Sequence, residues 1–263
     1  MSSRRRKASR LRPFWMLFLV ALVVAVLLGY VGASWPGFRP KHVRVVGNVI
    51  VSTQEILAQA NINPRGNVWL QNAGAIARRV EEIPYVLTAR VRRRPPGDVT
   101  IAIVERRPFA VARSGGDDAL VDASLRVLET DAGAGATLPV LVLAPGIAFV
   151  PGRYLKESSA RALRDALLSL RAHDVAATEV DDETGDVSAV LPGGVRVLLG
   201  DESDAPKAVP LIEPILTRFA LLGRTVRTLD LRSPTTPVVT EGSASEPPPV
   251  RASPSRPAPR RSL

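Results

Sequence analysis

At 263 residues, 46% of them hydrophobic, the chain is long enough for a membrane segment and two small domains. It has no cysteine, which excludes disulfide staples and thiolate metal centres, and its two histidines, His42 and His173, are isolated. The formal charge of +10 sits at the ends, with +6 in the first twelve residues, +2 from residue 241 onward and +2 across the long middle, so a nucleic-acid surface is not indicated.

Residues 14–33, FWMLFLVALVVAVLLGYVGA, carry no charge. As a helix rising about 1.5 Å per residue they span about 30 Å, the thickness of a bilayer's hydrocarbon core. Trp15, Tyr30 and Trp35 stand near its ends, where amphipathic rings favour the headgroup zone. Arg4, Arg5, Arg6, Lys7, Arg10 and Arg12 precede it with no acid among them, which predicts a cytoplasmic N-terminus and export of everything after residue 34. A signal peptide cut at Ser34 is the rival, but secretory apolar cores usually run about 7–15 residues.

After a Pro/Gly linker, SWPGFRPK, residues 42–48 read as a strand ending in a Gly47-Asn48 turn. Ser52 and Glu55 have capping-box spacing for a helix over 53–60. Asn72 caps a second helix with Ala73, Ile76, Ala77, Val80 and Ile83 on one face, stopped by Pro84. Leu87, Ala89 and Val91 alternate with polar residues, as do Val99, Ile101 and Ile103 beyond a Pro95-Pro96-Gly97-Asp98 turn. The order is β-α-α-β-β, a small α+β layer.

Past Glu105-Arg106-Arg107-Pro108, strands are expected at 109–113, 119–122, 125–129 and 138–143. Ser158 or Ser159 caps a helix to about residue 172, with Leu163, Ala166, Leu167 and Leu170 on one side. A meander follows over 175–180, 187–191 and 195–199. Residues 205–222 read as a helix in which Pro210 and Pro214 impose a kink or a late start, and 225–232 and 236–240 as strands. From 241 the Pro/Ser/Arg/Ala composition predicts disorder.

No catalytic, cofactor or metal site emerges. His42 opens a strand and His173 closes a helix, both structural settings. Asp181, Asp182, Glu183 and Asp186 form an acidic turn without EF-hand spacing, and Asp201, Glu202 and Asp204 suit a helix N-terminus. Gly133-Ala-Gly135 lacks a third glycine, and Gly242-Ser-Ala-Ser is no nucleophile elbow. Of Arg90, Arg92, Arg93 and Arg94, at least two face solvent.

Taken together, VRVVGN at 43–48, STQEIL at 52–57 and IPYVLTARVRRRPPGDVTIAIVERRPFA at 83–110 resemble the FtsQ/DivIB family of bacterial divisome proteins. Further matches are Leu120-Val121-Asp122, Leu138-Pro139-Val140-Leu141, Leu199-Gly200 with Lys207, and Leu229-Asp230-Leu231-Arg232. The turn Ala123-Ser124 departs by lacking the glycine often found after Val-Asp, and Pro210 and Pro214 interrupt the last helix. The resemblance implies a cytoplasmic tail (1–13), a membrane helix (14–34), a linker (35–41), a POTRA domain (42–108), a mixed β domain on a largely antiparallel sheet (109–240) and a tail (241–263).

It also implies a non-enzymatic scaffold at the division septum. Such proteins bind FtsB and FtsL and help control septal peptidoglycan synthesis by the FtsW–FtsI pair. FtsB adds a strand to the last strand of the β domain, which by position puts the site at Arg232, Ser233, Thr235, Thr236, Pro237, Val238, Val239 and Thr240. Charged replacements of Val238 and Val239 are then expected to weaken FtsB binding and leave the exported domains folded. Nucleic acid, small-molecule substrates and cofactors are not expected. The alternatives are a POTRA-bearing assembly or secretion factor, which would carry an outer-membrane barrel, and a cell-wall hydrolase or transferase, which would need a nucleophile–base pair or metal cluster.

Overall fold

The computed structural model describes residues 12–131, 137–183, 185–201 and 203–242. The tail before residue 12, the glycines at 133 and 135, Glu202 and the Pro-rich tail from 243 lie outside the described residues. Two compact units divide the chain, Met1–Arg106 and Arg107–Leu263.

The first unit begins with α1 (Arg12–Ser34), long and apolar enough to cross a membrane. Its large side chains from Trp15 to Val31 are exposed, so no protein core surrounds this apolar surface. There follow β1 (His42–Val46), α2 (Thr53–Ala60), α3 (Ala73–Glu81), β2 (Val86–Arg94) and β3 (Asp98–Glu105). The sheet order is β1-β3-β2, with β1 parallel and β2 antiparallel to β3. Ile56, Ala60, Ile76 and Val80 from the helices pack with Val99, Ile101 and Ile103.

Local chemistry sets these elements. Ser52 Oγ accepts from Glu55 N at 3.1 Å and Asn72 Oδ1 from Ala75 N at 3.0 Å, so both helices start where the caps predicted. Gly47 has φ +90°, and a Cβ there would lie 2.2 Å from Ile103 O, so both the backbone angle and the approach to β3 demand glycine. The expected Leu87 core position is corrected. A bulge leaves Leu87 without a partner between Val86↔Glu105 and Thr88↔Val104; Val86 is buried and Leu87 turns outward.

Glu105 ends β3 and accepts backbone N–H from Val49, Ile50 and Val51 at 2.9–3.1 Å. Partial burial alone would raise its pKa, but the bonds from Ile50, Val51 and Val49 outweigh it and hold the carboxyl below the ordinary value of 4.5. The carboxylate thus fixes the loop leading from β1 into the α2 cap.

In the second unit β4 (Pro108–Ser114), β5 (Asp117–Asp122), β6 (Val127–Thr130) and β7 (Val140–Leu143) precede α4 (Ser158–Ala172). Then come β8 (Glu179–Glu183), β9 (Asp186–Val190), β10 (Arg196–Gly200), α5 (Ala205–Leu221), β11 (Val226–Asp230) and β12 (Val238–Glu241). They form one open sheet, β12-β11-β10-β9-β8-β7-β4-β5-β6. Its pairings are antiparallel except β4–β7, β7–β8 and β10–β11. The last two parallel pairs need long crossovers, which α4 and α5 supply. Leu163, Leu167, Leu170, Val209 and Ile212 from the two helices join Leu141, Val180, Val197, Leu199 and Leu229 in one core.

Several expectations shift in this unit. The first meander strand starts at Glu179 instead of residue 175, and Val175 is buried in the loop before it. Glu157 occupies the α4 N-cap without a side-chain cap bond, and Ser158 is already helical. Leu125 precedes β6 in a left-handed turn at φ +63°. There Asp122 Oδ1 gathers Ser124 N, Ser124 Oγ and Arg126 N, doing the turn-making of the absent glycine.

The helix with Pro210 and Pro214 does not start late but runs from Ala205 to Leu221, with Pro206, Pro210 and Pro214 spaced by four and all exposed. The missing N–H bonds therefore fall on the solvent side, where water reaches the orphaned carbonyls, and Ala205, Ala208, Val209 and Ile212 bury the opposite face.

Candidate partner-binding edge

β12 is the terminal strand of the nine-stranded sheet and has one neighbour, β11. The antiparallel register pairs Asp230 with Val238, Leu229 with Val239, Thr228 with Thr240 and Val226 with Glu241. An edge strand leaves the outward half of its backbone N–H and C=O groups unpaired by the sheet, which is the template for strand addition.

Both ends of β12 are fastened. After it, Gly242 N donates to Thr225 O at 3.0 Å, Thr225 Oγ1 donates to Gly242 O at 2.7 Å, and Arg224 pairs with Glu241 at 2.8 Å. Before it, Thr236 N donates to Ser233 O at 3.0 Å and Thr236 Oγ1 to Ser233 Oγ at 3.0 Å, closing a turn. Arg232 lays its guanidinium on Asp230, with Nε 3.0 Å from Oδ1 and Nη2 2.7 Å from Oδ2, and lies 3.7 Å from Asp186. The Arg232 fork outweighs partial burial and holds the Asp230 carboxyl below its ordinary range.

The predicted residues therefore separate into two groups. Val238, Val239 and Thr240 are on β12, whereas Arg232, Ser233, Thr235, Thr236 and Pro237 form the connection that aims it. Alternation divides the valines as well. Val238 is 60% exposed, while Val239 is half-buried against the core opposite fully buried Leu229. A charge at Val239 would thus disturb the core rim, so the two valines are not equivalent positions for a substitution meant to leave the fold intact. Sequence reasoning missed Glu241, which lies on β12 and pairs with Arg224, because the β11–β12 register that brings them together is not written in local sequence.

The remaining candidates have structural partners. His42 Nδ1 is 3.1 Å from Asp98, and His173 caps α4 with Nδ1 2.9 Å from Ser169 O. Asp182 Oδ1 accepts from Gly185 N in the acidic turn, whose Thr184 lies outside the described residues. Asp201 Oδ1 gathers Ser203 N, Ser203 Oγ and Asp204 N before α5. Its pKa is lowered, first by Ser203 Oγ and then by the Asp204 and Ser203 amides. Arg90, Arg92 and Arg94 are exposed, while Arg93 is half-buried and ties down a loop. Among the described residues, no group of three or more His, Asp or Glu is arranged to hold a metal ion.

A helix long and apolar enough to cross a membrane precedes a β-α-α-β-β layer of the POTRA class and an open, mixed nine-stranded sheet. A family model described as POTRA domain, FtsQ-type, matches residues 38–106. The chain is 28% identical over 245 residues to the cell division protein FtsQ of Syntrophotalea carbinolica, covering 84% of this chain and 86% of that one. It is 27% identical over 237 residues to the FtsQ of Zymomonas mobilis, covering 84% and 72%. A shorter match, 35% over 103 residues, covers 38% of this chain and 31% of the Mycolicibacterium smegmatis FtsQ. The chain therefore carries an FtsQ-type POTRA domain and is similar over most of its length to bacterial FtsQ cell division proteins.

Proposed function

We propose that this chain is a division scaffold, cytoplasmic at its N-terminus and gathered at the septum, whose strand β12 receives a strand of FtsB. FtsL joins the same assembly, and through it the chain helps govern septal peptidoglycan synthesis by the FtsW–FtsI pair. The working parts are the tail (1–13), membrane helix (14–34), linker (35–41), POTRA domain (42–108), β domain (109–240) and C-terminal tail (241–263), whose first residue, Glu241, completes β12. The observation that carries the reading is the fastened terminal strand Val238–Glu241 with Val238 exposed on it.

The chemistry is strand addition: backbone hydrogen bonds supply affinity, and the side chains at 238 and 240 supply selectivity. An outer-membrane secretion factor fits less well, because the sheet after the POTRA layer is open, ending at β6 and β12. A photo-crosslinkable residue at 238 or 240 in dividing cells is expected to trap FtsB, and the same residue at the exposed Leu168 on α4 is not. Equal capture from both positions, or none from 238 and 240, would remove the support.

A further inference from the structure

The end of the POTRA layer next to α1 is tied by backbone hydrogen bonds to the residues that follow that helix. Trp35 N donates to Gly32 O and Phe38 N to Trp35 O, so a tight turn continues directly from α1, with the Trp35 and Phe38 rings edge-to-face at 5.3 Å. Phe38 is four residues past the end of α1, so it stays within reach of the headgroup layer. Two POTRA segments are bonded to this stub. Val68 N donates to Phe38 O at 2.9 Å, and Lys41 N donates to Gly97 O at 2.9 Å. A Cβ on Gly97 would lie 2.1 Å from Arg39 O, so backbone meets backbone there.

The first of those segments holds an apolar tip outward. Trp69 is 40% exposed and Leu70 is 72% exposed. The tip is rigid: Asn67 Oδ1 accepts from Trp69 N at 2.8 Å, and Arg93 Nη1 donates to the carbonyls of Val68, Trp69 and Gln71. The Arg93 guanidinium lies over the Trp69 ring at 5.4 Å. Along the segments bonded together here, Arg39, Lys41, Arg65 and Arg94 are exposed, and Asp98 is the single acid within 34–42, 62–71 and 93–98.

We infer that this end of the POTRA domain docks on the outer leaflet of the membrane that α1 spans. Trp69 and Leu70 enter the interfacial layer, and Arg39, Lys41, Arg65 and Arg94 engage anionic phospholipid headgroups. An indole ring with an apolar body and a polar edge suits that layer, and a basic rim suits its anionic lipids. The tether fixes the occupant: the surface is bonded to the residues leaving the bilayer, so the membrane is the partner at highest effective concentration. Docking restricts how the POTRA domain swings about its anchor. The inference rests on α1 being a retained membrane span.

The chain has no cysteine, so single replacements carry a nitroxide label uniquely. Full-length protein is placed in nanodiscs of phosphatidylglycerol with phosphatidylcholine, or of phosphatidylcholine alone, and labelled at Leu70→Cys, Val49→Cys or Val24→Cys. The label at 70 is expected to lose collisions with an aqueous nickel chelate and gain them with oxygen in the anionic discs. The label at 49, 90% exposed on the loop held by Glu105, stays aqueous. Adding R65Q and R94Q is expected to weaken docking on the order of fivefold per charge. A label at 70 as aqueous as that at 49, or equally buried in both discs, overturns the inference. A label at 24 that does not report the bilayer core instead defeats the membrane-span reading itself.

Discussion

Replacing Glu105 tests whether a single carboxylate holds the POTRA layer together. Its oxygens accept N–H from Val49, Ile50 and Val51 at 2.9–3.1 Å. Val49 and Ile50 are exposed, so water can take over their amides, whereas Val51 is 5% exposed and its amide would be left without an acceptor. A hydrogen bond to a charged acceptor is worth about 1.5–3 kcal/mol, so E105A is expected to cost about 2–3 kcal/mol and E105Q about half that. In a domain of this size each kcal/mol shifts Tm by about 4–8 °C, giving a drop of roughly 10–20 °C for E105A.

The pH dependence has a definite sign. The folded pKa of Glu105 lies below its ordinary value of 4.5, so its contribution is complete above that value and disappears as pH falls through the lower folded value. Thermal unfolding of the detergent-solubilised chain at pH 7 and at a series of pH values reaching well below 4.5 reads both effects. The gap between wild type and E105Q should be full at pH 7 and close in acid. Equal Tm values at pH 7, or a gap that does not change with pH, would refute the argument.

V238D should leave the Tm of the β domain within about 0.5 kcal/mol of wild type while reducing FtsB capture, whereas V239D should lower stability by about 1–3 kcal/mol; calorimetry beside a pull-down separates them. G47A forces a Cβ to within 2.2 Å of Ile103 O at φ +90°, so it should unfold the POTRA layer at lower denaturant than E105A does, read as a urea midpoint. P210A restores a helical N–H on the exposed face of α5 and should raise stability by about 1 kcal/mol or more, seen as a higher Tm for the β domain.

Much of this architecture was legible because it depends on neighbours in sequence. Ser52 and Asn72 marked helix starts, and the alternation of Val99, Ile101 and Ile103 marked a buried strand face. What stayed hidden depends on partners far along the chain. Leu87 follows the apolar alternation, but a bulge across from β3 turns it outward. Glu105 was visible as part of a motif, yet its task lies in a loop more than fifty residues earlier. The prolines of α5 looked disruptive until the helix's buried face showed that they share the wet side. At the candidate edge, only the family resemblance pointed to Val238, Val239 and Thr240, since their composition alone reads equally as the start of the tail. Which valine faces solvent follows only from the Leu229↔Val239 register.

In the proposed complex another chain's backbone completes the sheet at Val238–Glu241. Amide hydrogen exchange of the full chain, with and without the exported part of FtsB, measures that directly. The account predicts that amides in β12 exchange at least about tenfold more slowly in the complex, while those of the distant edge strand β6 do not change. A saturated complex in which β12 exchanges as it does in the free chain would contradict it.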